Sequence, residues 1–192
     1  MLRNFIRCCV RVFLFFVFRI KVTGAENLIS DEGLIVAVNH RSNWDPVIIG
    51  AVSKRKLRFM AKSELFKNKF CGWFLKVIGA FPIERGKGDI GALKNSIKIL
   101  QDGEALLIFP EGTRVRDESE SKAKTGAVMI ASHAKVKILP VYISGSFKWM
   151  SKITVSYGKP IDVLEGVEGR MTKEQMQEAA DNVLLSIKQL KV

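Results

Sequence analysis

The sequence predicts an α/β fold: a single domain with a mixed, largely parallel sheet flanked by helices, preceded by an amphipathic N-terminal helix. Three observations predict it. Short apolar runs alternate with helical patterns along the chain, the rhythm of strands joined by crossover helices. Several of these runs are continuously apolar rather than alternating, as strands covered on both faces should be. With 192 residues, 47% of them hydrophobic, the chain is long enough for one filled core and too apolar for disorder. No long linker, repeat or low-complexity stretch divides it.

In residues 1–18, Arg3, Arg7 and Arg11 recur every four positions among Phe5, Ile6, Val12, Phe13, Phe15 and Phe16, so they line one side of a helix. The uncharged stretch 12–18 reaches about 10 Å as a helix, whereas a membrane span needs about 20 apolar residues. A signal peptide is a rival reading, but Arg19 and Lys21 close the stretch and no small-residue cleavage site follows promptly. The expectation is a helix lying in a membrane interface, its Phe rings among acyl chains and its Arg heads on lipid phosphates.

The domain proper, 19–192, then begins. Residues 19–22, 34–38, 57–60, 81–83, 105–109, 138–143 and 153–157 read as strands, the last of them near an edge. Helices are expected over 46–52, 64–78 with a break at Gly72, 90–100 capped by Asp89, 126–134, and 172–191 capped by Thr172. Residues 117–124 form a polar loop.

The net charge of +12 calls for an anionic partner. Residues 1–24 carry +5 with no acid, and residues 53–70 carry +6, with Glu64 the one acid. The rest, with 19 basic and 18 acidic side chains, is near neutral. The second patch also holds Phe59, Phe66 and Phe70, followed by Trp73 and Phe74, a mixture that suits a membrane surface or single-stranded nucleic acid. Three Cys exclude a disulfide framework, and the two His and three Cys show no zinc-ligand spacing. Unpaired Cys fit a cytoplasmic setting.

Two segments at expected strand ends could carry chemistry. Asn39-His40-Arg41-Ser42-Asn43-Trp44-Asp45-Pro46 follows the 34–38 strand. His is the natural general base near neutral pH, and a carboxylate can fix its tautomer. On a continuous helix His40 and Asp45 would point about 140° apart, so they meet only across a strand-to-helix turn. Asp45 as N-cap with Pro46 at the first helical position supplies such a turn, and also supplies the bland alternative that Asp45 merely caps. The second segment, Phe109-Pro110-Glu111-Gly112-Thr113-Arg114, offers a tight glycine turn and an arginine able to grip phosphate with two hydrogen bonds. Gly79-Ala80-Phe81-Pro82-Ile83-Glu84-Arg85 is a third strand end bearing an Arg.

Together these segments resemble the blocks of the glycerolipid acyltransferase family, which acylates lysophosphatidic acid and related acceptors. NHRSNWDP is similar to its His-x4-Asp block, GAFPIER to its second block, FPEGTR to its third and ILPVYISG (138–145) to its fourth. The resemblance covers roughly residues 19–160. It implies that His40 is the base paired with Asp45, and that Glu111, Gly112, Thr113 and Arg114, helped by Arg85 and by Lys62 in MAKSELF, hold the glycerol phosphate. It places Pro140 in the scaffold beside the acyl pocket. The implied reaction moves an acyl chain from acyl-CoA or acyl-carrier protein to the sn-2 hydroxyl of 1-acyl-glycerol 3-phosphate, giving phosphatidic acid. Glycerol 3-phosphate or another lysophospholipid is the alternative acceptor. The sequence lacks a Gly-x-Ser-x-Gly elbow, so direct transfer without a covalent intermediate is expected. No metal or cofactor beyond the donor is called for. The implied partner is an anionic membrane surface rather than nucleic acid, with the enzyme peripheral or monotopic on the cytoplasmic face. The oligomeric state is not legible.

Two readings of other classes compete. Residues 86–91 match Gly-x-Gly-x-x-Gly after a strand and before a helix, with Glu111 twenty residues on, the outline of a dinucleotide site. A non-enzymatic binder of anionic lipid would explain the charge but leave His40, Asp45 and Glu111 without a role.

Overall fold

The computed structural model describes residues 1–28, 31–84, 89–115 and 121–192. Its seven strands are β1 (Arg19–Thr23), β2 (Leu34–Val38), β3 (Leu57–Lys62), β4 (Ala80–Ile83), β5 (Ala105–Ile108), β6 (Lys137–Gly145) and β7 (Lys152–Tyr157). They form one sheet in the order β1-β7-β6-β2-β5-β3-β4. Every neighbouring pair is parallel except β6 with β7, so the sheet is mixed and largely parallel. The helices are α1 (Leu2–Val17), α2 (Asp45–Val52), α3 (Lys69–Ile78), α4 (Ile90–Gln101), α5 (Gly126–Ala134) and α6 (Lys173–Gln189).

The continuously apolar strands are explained by a core on each face. In β2, Leu34, Val36 and Val38 face a core shared with Leu14 and Phe18 of the N-terminal segment and Ile48 and Ile49 of α2. Ile35 and Ala37 face the opposite core, built with residues of α4, α5 and α6. Strand side chains alternate between faces, so a strand sandwiched between helices needs apolar residues at every position. Pro140 sits in β6, where a missing N–H would ordinarily break a ladder. Its carbonyl accepts the Gly158 N–H at 2.8 Å, so it points to the β7 side, where regular pairing has just ended at Val141 with Tyr157.

Three local expectations are corrected. The 64–78 helix is two pieces, a 3₁₀ turn over Ser63–Phe66 and then α3. The break is at Asn68, whose side chain accepts the Cys71 N–H at 3.0 Å as N-cap. Gly72 lies inside α3, where a Cβ would come within 2.9 Å of the Phe66 carbonyl; glycine there permits a close approach rather than a break. The strand expected over 105–109 stops at Ile108, which frees Phe109.

The third correction concerns the N-terminal arginines. Helix α1 forms, with Leu14 and Val17 buried and Phe5, Phe13, Phe15 and Phe16 exposed. Its arginines, however, face the protein. The Arg3 guanidinium donates to the Leu57 carbonyl and lies over Gly79. Arg7 reaches the Arg55 carbonyl, and Arg11 donates to the carbonyls of Ala51 and Ser53. Helix α2 ends at Val52 and leaves carbonyls without intrahelical partners; cations at that end satisfy them and oppose the helix dipole. Burial pushes the Arg3 and Arg7 guanidinium pKa values down, in both cases assisted by neighbouring arginines. The aromatic face of α1 is left outward without its arginine stripe. No helix among the described residues is long and apolar enough to cross a membrane.

Candidate active site

Strands β2, β5, β3 and β4 are adjacent and parallel. Their C-terminal ends therefore open at one edge of the sheet, where loops of such folds build sites. The loop after β2 carries His40, the loop after β5 carries Thr113 and Arg114, and Lys62 ends β3. These residues line one cleft of about 560 Å³ together with Arg41, Ser42, Asn43 and Trp44.

The turn expected between β2 and α2 brings His40 and Asp45 together. Asp45 is the first residue of α2 rather than its cap, and its carboxylate turns back toward the loop. Its Oδ2 accepts the backbone N–H groups of Arg41 and Ser42, each at 2.7 Å, and lies 3.0 Å from His40 Nδ1. The bland alternative of a mere helix cap is excluded by this geometry. Three donors converge on one buried oxygen, which fixes the ring and places the imidazole proton on Nδ1. In a neutral ring so held, Nε2 is the nitrogen that carries the lone pair. The His40 side chain is 12% exposed, and the Phe109 ring stacks on it at 4.0 Å with planes 20° apart. The histidine is held on one edge by a carboxylate and on one face by an apolar ring.

Glu111 is turned inward and does not line the cleft. It is buried, and its Oε2 accepts the His40 N–H at 2.8 Å while Oε1 accepts the Ser121 hydroxyl at 2.7 Å. A second link runs beside it, Val115 N–H donating to the His40 carbonyl at 2.9 Å. The loop after β5 thus fastens the loop after β2 at both sides of His40. Gly112 has φ +72°, and a Cβ there would come within 2.8 Å of the Lys124 amine. It shapes the turn that projects Thr113 and Arg114, both exposed, into the cleft. Arg85 and residues 86–88 of the glycine-rich run lie outside the described residues. From the same run, Asp89 caps α4, accepting the Ala92 N–H at 2.9 Å and the Glu84 N–H at 3.0 Å; these bonds hold its carboxyl pKa below the ordinary value.

Three residues escaped the sequence reading. Asn39 is buried and pairs with Ile143 through both amide atoms, at 3.1 and 2.7 Å; it extends the β2–β6 ladder with a side chain. Arg41 joins Lys62 and Arg114 as a cation of the cleft. Trp44 lines the cleft and meets Phe13 and Phe18, with ring centroids 6.3 and 5.6 Å away. Each sat inside the His-x4-Asp segment, overshadowed by the histidine and carboxylate. Among the described residues, no group of three or more His, Cys, Asp or Glu side chains is placed to hold a metal ion.

A family model described as Acyltransferase matches residues 19–144. The 1-acyl-sn-glycerol-3-phosphate acyltransferase of Streptococcus pneumoniae is 34% identical over 167 residues, which cover 83% of this chain and 61% of that protein. The enzyme of the same name from Bacillus subtilis is 39% identical over 127 residues, covering 66% of this chain and 63% of that one. The chain therefore spans less than two thirds of the length of either relative. Its fold is similar to the crystal structure of the 1-acyl-sn-glycerophosphate acyltransferase of Thermotoga maritima, with a TM-score of 0.68, 24% identity, and coverage of 98% of this chain and 81% of that one.

Proposed function

The chain belongs to the acyltransferase family, and from that premise we propose that it transfers an acyl chain from an acyl thioester to the sn-2 hydroxyl of 1-acyl-glycerol 3-phosphate. The observation that carries this reading is the 3.0 Å contact of His40 Nδ1 with Asp45 Oδ2 in a cleft that also presents Arg41, Lys62 and Arg114. A base stands beside a cluster of cations, which suits an acceptor whose hydroxyl and phosphate share one glycerol.

Chemically, His40 Nε2 takes the proton of the acceptor hydroxyl as its oxygen attacks the thioester carbonyl. The tetrahedral adduct collapses, the carbon–sulfur bond breaks, and the thiolate leaves with the proton returned by His40. Asp45 stabilises the imidazolium formed in between. Arg41, Lys62 and Arg114, with the Thr113 hydroxyl, hold the phosphate by charge-assisted hydrogen bonds. Glu111 and Gly112 serve by holding and shaping the loops. The donor is the thioester of CoA or of acyl-carrier protein, and no further cofactor is needed.

The outward rings of α1, with Phe70 and Trp73 of α3, seat the enzyme peripherally on a membrane whose cytoplasmic leaflet is anionic. The test is transfer by purified protein against a matrix of acceptors and both donors. Preference for 1-acyl-glycerol 3-phosphate is expected. Preference for glycerol 3-phosphate would move the acceptor assignment, and absence of transfer with retained lipid binding would favour the non-enzymatic reading.

A further inference from the structure

A second concavity, about 620 Å³, lies where α1 passes into β1. It shares no lining residue with the catalytic cleft. One part of its wall is apolar, with Phe15 76% and Phe16 61% exposed and Met150 beside them. The rest is cationic: Arg19 and Lys21 of β1 and Lys152 of β7, all exposed.

The strand pairing forces these charges together. Arg19 is the direct cross-strand partner of Lys152, and Lys21, two residues on, shares the face of Arg19. Like charges opposite one another weaken a sheet. Among the described residues, no ion pair offsets them. The groove is assembled from two stretches, 1–25 and 121–161, that contain no Asp or Glu. Three cations beside an aromatic wall match an amphiphile with an anionic head and apolar tails.

We infer that this groove binds one anionic phospholipid, its phosphodiester on Arg19, Lys21 and Lys152 and its acyl chains along Phe15, Phe16 and Met150. It deepens the membrane reading by replacing the α1 arginines, which are engaged with carbonyls, by a defined lipid site. It is independent of the acyl-transfer reading, because the catalytic cleft takes no part. The floor of the groove is Phe18, whose ring meets Trp44 of the cleft edge-on, so an occupied groove lies against the wall of the catalytic site.

The test is a chemical-shift titration of the full chain with dihexanoyl phosphatidylglycerol below its micelle concentration. Parallel arms use dihexanoyl phosphatidylcholine and inorganic phosphate. Saturable shifts at residues 15–21 and 150–152 are expected with the anionic lipid. They should weaken at least about tenfold in Arg19→Gln/Lys21→Gln/Lys152→Gln and survive in Arg114→Ala and His40→Ala. The single variant Lys152→Glu should also weaken them, with thermal unfolding no lower than in the parent, because it turns the repulsive pair with Arg19 into an attractive one. Equal response to phosphatidylcholine, equal response to phosphate alone, or shifts confined to residues 40–44 and 113–114 would overturn the inference.

Discussion

Glu111 Oε2 accepts the backbone N–H of His40 at 2.8 Å, across 71 residues of sequence. The carboxylate of one motif thereby sets the main chain of the other. Glu111 is buried with both oxygens held by the two loops, and it is expected to act through His40. In Glu111→Ala a part-buried N–H loses its acceptor, and stability should fall by about 1–2 kcal/mol. Transfer should fall chiefly in kcat, with the acceptor KM little changed. Glu111→Gln should restore much of both, since an amide oxygen accepts the His40 N–H and the amide can donate to Ser121. Urea unfolding and steady-state kinetics check this; a raised KM with unchanged kcat would instead place Glu111 on the acceptor.

The same site yields a prediction for the base. His40→Ala should reduce transfer by roughly 10²–10⁴-fold, the range for a lost general base, with circular dichroism unchanged. Asp45→Asn should be disabling in a second way. An amide cannot offer a carboxylate oxygen to His40 Nδ1 and to the N–H groups of Arg41 and Ser42 together. Kinetic loss in Asp45→Asn should therefore come with a larger drop in thermal stability than in His40→Ala, where the N–H groups of Arg41 and Ser42 still hold the Asp45 carboxylate.

Most of the fold was legible because its signals are local. Unbroken apolar runs such as Leu34–Val38 announce strands covered on both faces, and Asp89 and Thr172 announce helix starts by their chemistry; both accept the N–H three residues on. The site was legible in part. Proximity of His40 and Asp45 followed from the turn between β2 and α2. The inward role of Glu111 did not, because a hydrogen bond over 71 residues leaves no trace in spacing. The α1 arginines misled for the same reason. A periodic cationic stripe looks alike whether it meets lipid phosphate or the carbonyls at the end of α2, and only the packing of α1 decides.

That packing makes its own prediction. Arg11→Met keeps the aliphatic stem but removes donors to Ala51 and Ser53. It should lower stability by about 1 kcal/mol, the scale of a partly exposed hydrogen bond. The salt dependence of binding to anionic vesicles should stay as it is in the unaltered protein, because the guanidinium is already partnered. Flotation assays over a salt series test this. A flattened salt response in Arg11→Met would return the arginine stripe to the lipid surface.

The last prediction concerns alkaline pH and Tyr157, at the end of β7. The side chain is buried, and its hydroxyl has no hydrogen-bond partner among the described residues. Burial disfavours the phenolate and pushes the pKa up to about 12 from an ordinary 10.0. Between those values the folded protein holds a proton that the unfolded chain has released. The contribution is therefore fully present below pH 10 and is lost as pH rises toward 12. Two pKa units correspond to roughly 2–3 kcal/mol over that window. Tyr157→Phe removes the titrating group together with an unpaired buried hydroxyl. At neutral pH the variant should be as stable as the parent or more so, since a buried polar atom without a partner is a cost. From pH 10 to 12 its stability should decline less steeply than that of the parent. Urea unfolding of both proteins at pH 7, 10 and 11 measures the difference; parallel declines would mean that Tyr157 ionises at its ordinary pKa and that its hydroxyl reaches water.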